Sequence, residues 1–113
     1  MRERRKFVRV ISNIVLRYYI LDPIEFATAR TYDVGGGGIR FVTDEGLPKD
    51  TVLDLEIDLP ESARTIRAKS RVVWASDLGN GYWEVATEFI EIDNRDRDKV
   101  LKHVYFSYRG SDT

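Results

Sequence analysis

Leu53-Asp54-Leu55-Glu56-Ile57-Asp58-Leu59 alternates apolar and acidic residues without a break. A period of two puts Leu53, Leu55, Ile57 and Leu59 on one face of an extended segment and Asp54, Glu56 and Asp58 on the other. Such a segment is a half-buried antiparallel strand whose acids form a solvated face rather than a metal site. Pro60 ends it, because proline cannot donate to a ladder. Working outward, residues 12–20 make a first strand rich in β-branched and aromatic residues, cut by Asp22-Pro23, and a second runs from about Glu25 to Tyr32. Ile39-Arg40-Phe41-Val42 is a third. A fifth covers about Thr65 to Ala75 and a sixth about Tyr82 to Ile90, with the Leu78-Gly79-Asn80-Gly81 turn between them. The period then changes. Asp93 or Asn94 can cap a helix, Asp96 and Asp98 suit its first turns, and Val100, Leu101, Val104, Tyr105 and Tyr108 recur at helical spacing. The helix is expected over 94–108, the barrel strands over 12–90, and a mobile arm over 1–11. The fold class is all-β with one terminal helix, a six-stranded antiparallel β-barrel.

The chain has 113 residues and 42% apolar content, which fits a single domain over 1–113. It has no cysteine, which excludes disulfides and thiolate metal sites. Its one histidine, His103, is expected at the surface or boundary, and a single histidine excludes a His-cluster metal site or a His-based triad. Asp93, Asp96 and Asp98 lack the glycine and closing glutamate of a calcium loop. No nucleophile–base pair can be assembled, so the chain is expected to be no enzyme and to need no cofactor. No apolar run is long enough to span a bilayer and no secretory signal stands at the start, which suits a cytoplasmic setting without membrane insertion. Trp74 and Trp83 are expected as core or barrel-rim residues.

Charge is unevenly placed. The net is −1, yet five of the first nine residues are basic: Arg2, Arg4, Arg5, Lys6 and Arg9. A basic arm on a mildly acidic body suits one small anion better than a long polyanion, so nucleic acid is not an expected partner. Farther along stands Asp33-Val34-Gly35-Gly36-Gly37-Gly38. Guanidinium groups suit phosphates and the O6/N7 edge of guanine, and a carboxylate suits the N–H donors of its other edge. Glycines can supply positive φ between two strands and let a ligand approach backbone N–H groups. Asp33 could instead cap its own turn. No Gly-Lys-Ser/Thr and no helix follow, so this is not a Walker loop.

Arg5-Lys6-Phe7-Val8-Arg9 fits an RxxxR pattern, and residues 33–38 fit most of (D/N)xSxxG. In this order and spacing, with Ile39-Arg40-Phe41, the Arg71-Val72-Val73-Trp74 strand, the Ala86-Thr87-Glu88-Phe89 strand and the terminal helix, the chain resembles the PilZ domain, a bacterial receptor module for cyclic di-GMP, over nearly its whole length. The resemblance implies a PilZ-like barrel whose arginine arm wraps a ligand on the barrel surface. It implies ligand contacts from Arg5 and Arg9, with Arg4 as an additional basic candidate. Asp33 would accept from guanine N–H groups, Gly35 would offer its backbone N–H, and Gly38 would hold the turn. Arg40, next to the turn, could reach ligand or equally make a surface pair. The implied ligand is cyclic di-GMP, and the implied output is a conformational change read by a protein effector partner. Gly35 departs from the pattern, since serine is usual there. A missing hydroxyl implies weaker binding, an alternative role as a degenerate protein-interaction adaptor, and tighter binding on Gly35→Ser.

Overall fold

The computed structural model describes residues 7–20 and 25–111. These residues form seven strand segments: β1 (Arg9–Ile11), β2 (Val15–Tyr19), β3 (Ala27–Gly35), β4 (Gly38–Thr43), β5 (Val52–Ile57), β6 (Ile66–Asp77) and β7 (Trp83–Ile92). Helix α1 (Asn94–Ser111) follows. The antiparallel order is β1-β3-β2-β5-β6-β7-β4, and β4 returns to β3. One edge of β3 belongs to β4; along the other, β1 and β2 lie end to end, with Ile11 opposite Asp33 and Val15 opposite Arg30. The two share one strand position, so the sheet is a closed six-stranded antiparallel barrel with one C-terminal helix.

The first strand, expected over 12–20, is therefore shortened to Val15–Tyr19, a break at 12–14 precedes it, and Arg9–Ile11, expected within a mobile arm, are paired. Thr31 explains the break. Its buried hydroxyl accepts from the Ile14 N–H at 2.9 Å and donates to the Ser12 carbonyl. The Ser12 N–H donates to the Tyr32 carbonyl at 3.0 Å and the Thr31 N–H to the Ile14 carbonyl at 2.9 Å. A side chain thus stands in for ladder bonds across the gap.

The 53–59 alternation holds, with Leu53, Leu55, Ile57 and Leu59 buried in the barrel beside Leu16, Phe41 and Val85. Outside, Arg17 bonds Glu56 at 3.1 Å and Asp58 at 2.8 Å, so part of the acidic face is paired. Tyr18 is buried with its hydroxyl 2.7 Å from Thr43 Oγ1, and burial pushes its phenol up to about 12.

Helix α1 packs on the barrel through Val100, His103 and Val104, which are buried. Leu101, Tyr105 and Tyr108, expected in the same stripe, are exposed. Asp93 caps the helix, its Oδ1 accepting from the Arg95 N–H at 2.8 Å. Asp96 does more than suit the helix dipole: it is buried, accepts from the Arg67 N–H at 3.2 Å, and pairs with Arg64, tying α1 to the strand side. His103 is not a surface residue. Its Nε2 lies 2.8 Å from Ser12 Oγ and its Nδ1 meets the Glu61 carboxylate. Partners arriving from far along the chain allow it to be buried without an orphaned ring nitrogen.

Candidate functional site

The glycine run is the β3–β4 hairpin, with Gly35 opposite Gly38 and a turn at Gly36-Gly37. The expectation of positive φ here fails. Among the described residues the positive-φ glycines are Gly79 (84°) and Gly81 (87°). The hairpin glycines answer to crowding instead. A Cβ on Gly38 would lie 2.1 Å from the Thr87 carbonyl oxygen and 2.9 Å from Glu88 Cα, inside the backbone of β7. The Phe89 N–H donates to the Gly37 carbonyl at 2.8 Å, locking the turn to the same strand. On Gly36 a Cβ would meet Leu101 Cδ2 at 2.7 Å and Phe7 Cδ1 at 2.8 Å; on Gly37 it would meet Phe7 Cδ2 at 3.0 Å. The bare turn is a seat for the Phe7 ring, with Leu101 of α1 beside it and the Arg97 guanidinium 5.8 Å from the ring centroid.

The last residues of the arm lie against the turn, with Arg9 paired to Gly35. A Cβ on Gly35 would stand 2.8 Å from the Val8 carbonyl oxygen and 2.9 Å from Arg9 Cγ. This gives residue 35 a steric meaning that the motif alone does not carry. A serine here would push on the arm's backbone before its hydroxyl reached anything, so Gly35→Ser is no simple gain of a contact.

Asp33 and Arg40 face each other across β3 and β4. Arg40 Nη2 donates to Asp33 Oδ2 at 2.8 Å, Arg40 Nη1 lies 2.8 Å from Glu84 Oε1, and the guanidinium sits 4.4 Å from the centroid of the Tyr32 ring. A register shift between Thr31 and Asp33 leaves Tyr32 unpaired in the β3–β4 ladder, the local irregularity a bulge produces. Two polar atoms of this cluster are buried without a hydrogen-bond partner, Asp33 Oδ1 and Arg40 Nε. An unmet buried acceptor costs about 1–3 kcal/mol, so Oδ1 is poised for a donor that none of the described residues supplies.

Of the candidate residues, the structure brings together Arg9, Asp33, Gly35, Gly38 and Arg40; Arg4 and Arg5 lie outside the described residues. The sequence reading missed Tyr32, Glu84 and Phe7. Phe7 carried a signal, an aromatic inside a basic run. Glu84 carried none, because it reaches Arg40 only through the β4–β7 pairing. No group of metal-ligating side chains occurs among the described residues, and none of their helices is long and apolar enough to cross a membrane.

No curated protein matches the chain in a sequence comparison. Solved structures do. The inhibitor of motility MotI/DgrA of Bacillus subtilis superposes with a TM-score of 0.82 at 24% identity, over 96% of this chain and 53% of that one. MrkH of K. pneumonia in its c-di-GMP complex gives 0.80 at 16%, over 97% and 55%. The PilZ domain of YcgR from Escherichia coli, solved with c-di-GMP, gives 0.72 at 13%, over 96% and 95%. The chain thus spans about half the length of MotI and MrkH. These likenesses concern the fold. The family model for the PilZ domain matches residues 3–106, nearly the whole sequence, and the chain belongs to the PilZ domain family.

Proposed function

We propose that this chain is a cytoplasmic, bacterial receptor for cyclic di-GMP that performs no catalysis and passes a conformational change to a protein partner. Membership of the PilZ family and the c-di-GMP complexes of YcgR and MrkH support the ligand class. The observation in this chain that carries the reading is Asp33 Oδ1, a buried acceptor without a donor among the described residues. It sits at the point of β3 where the arm strand runs alongside. Guanine N1–H and N2–H are donors of the required kind. Arg9 on the arm, with Arg5 and Arg4 before it, supplies guanidinium groups for phosphates and guanine edges, each charged bond contributing about 1.5–3 kcal/mol. Arg40, already held by Asp33 and Glu84, orients the carboxylate. Ligand draws the arm into a new position, and the moved surface is what the partner reads.

Calorimetry with cyclic di-GMP tests this. Binding in the micromolar range or tighter is expected, with most of it lost in Arg9→Ala; no heat at high micromolar ligand overturns the reading. A second reading, a protein-interaction adaptor without nucleotide, is favoured by Gly35, which stands where the motif has serine and whose Cβ position is already filled by Val8 and Arg9. Partner binding that survives an Arg5→Ala/Arg9→Ala double substitution, in the absence of nucleotide, would select it.

A further inference from the structure

The other end of β4 carries a second surface that the ligand site does not use. Gly46, Leu47, Pro48, Lys49, Val73, Trp74, Ala75 and Trp83 enclose a groove of about 410 Å³. Three features shape it. First, the β6–β7 register shifts between Val72 and Trp74, and the irregularity leaves two consecutive apolar side chains in solvent, Val73 39% and Trp74 41% exposed. Such irregularities re-aim side chains, and here the result is apolar surface turned outward. Second, Gly46 lies flat on the Trp83 indole; a Cβ would come within 2.9 Å of Cε2 and Cζ2. Third, Asp50 adopts φ 74°, the one positive φ outside glycine among the described residues. Its N–H donates to the Val72 carbonyl at 2.8 Å, pinning the loop beside β6. Residues other than glycine take that conformation at a cost. Exposed Leu78 and Tyr82 extend the apolar surface along the β6–β7 hairpin.

The rim has a sign. Asp44 and Glu45 precede Gly46, Asp50 follows Lys49, and Asp77 pairs across the ladder with Trp83. All four acids are exposed, and none makes an ion pair with a described residue. Arg71, whose charge Asp50 also feels, is engaged by Glu88. Lys49 alone offsets the four within the groove. An apolar slot holding two tryptophans, framed by exposed carboxylates, is complementary to an apolar side chain flanked by cations.

We infer that this groove is a docking site for a partner protein, which inserts an aromatic or aliphatic anchor between Trp74 and the 46–49 loop and sets Lys or Arg residues against Asp44, Glu45, Asp50 and Asp77. The site stands apart from the glycine turn and holds whether or not nucleotide binds there.

Random dodecapeptides displayed on phage test it, selected against the full chain and counter-selected on Trp74→Ser. The chain's two tryptophans both line the groove, so tryptophan emission, excited where tyrosine does not absorb, reports on it alone. Enriched peptides should carry an apolar anchor with flanking Lys or Arg, and should shift tryptophan emission to the blue. Binding should weaken about tenfold or more in Asp44→Lys/Glu45→Lys and in Val73→Asp, and be unchanged in Tyr105→Ser on the helix. Circular dichroism checks that each variant is folded. Enrichment of acidic or uncharged peptides, of peptides that ignore Trp74, or of none at all overturns the proposal. So does concentration-dependent dimerisation that Trp74→Ser abolishes, which would assign the groove to a second copy of this chain.

Discussion

Two hairpins of this barrel depend on glycine for opposite reasons. At 35–38 the backbone is ordinary and the surroundings are full: β7 abuts Gly38, Val8 and Arg9 abut Gly35, and Phe7 covers the turn. At 79–81 the surroundings are empty, with nothing within 4 Å of a Cβ on either glycine, and the backbone itself is left-handed. One turn uses glycine to be touched, the other to bend. Only the first marks a place where segments converge, which is what a binding site needs.

The comparison can be broken by substitution. Gly38→Ala should be the most damaging change, because its Cβ meets an immobile carbonyl 2.1 Å away. Urea unfolding should show a loss of about 3 kcal/mol or more, and a loss under about 1 would refute the crowding account. The barrel can also be loosened without touching either turn. Tyr18 keeps its proton to about pH 12 when folded, against 10.0 for the free side chain. The folded state therefore binds more protons between those values. Stability is full below pH 10 and falls by about 2–3 kcal/mol as pH rises through 12. Denaturation curves across that range should show the decline, and Tyr18→Phe should remove it. Asp33→Ala deletes the orphaned acceptor, and calorimetry should record a loss of cyclic di-GMP affinity of about a hundredfold. Equal affinity would detach Asp33 from the ligand. Gly79→Ala and Gly81→Ala should each cost only about 1 kcal/mol, by the same unfolding measurement, with ligand binding untouched. Gly35→Ser has the smallest effect on global stability and the most local one. Hydrogen exchange should speed at the Val10 and Ser12 amides, which face β3, as the added side chain levers β1 from it; unchanged protection would mean the arm adjusts freely.

Much of the fold was legible because its determinants are local. Leu53 to Leu59 states its own register, Asp93 its own cap, and the change of period after Ile90 announces the helix. The pairing of Arg9 with Gly35 was legible only through a motif relation, since no local property says that residue 9 meets residue 35. What stayed hidden depends on side chains reaching across the chain. Thr31 splits the first strand by bonding Ile14 and Ser12. Ser12 and Glu61 meet His103 and permit its burial. Glu84 reaches Arg40 through strand pairing. The missing positive φ at 35–38 has the same origin: glycine composition signals a special backbone or a close neighbour, and only the assembled barrel distinguishes them.

The interruption between β1 and β2 has a kinetic consequence. Ring closure rests on β2, which bridges β3 and β5; β1 adds a three-residue ladder to β3 alone. Peeling away Arg9–Ile11 therefore breaks a short ladder and leaves every barrel seam intact. We predict that this segment opens as a unit of its own, releasing Val10 from the core edge and β1 from its contacts with α1 while the barrel stays closed.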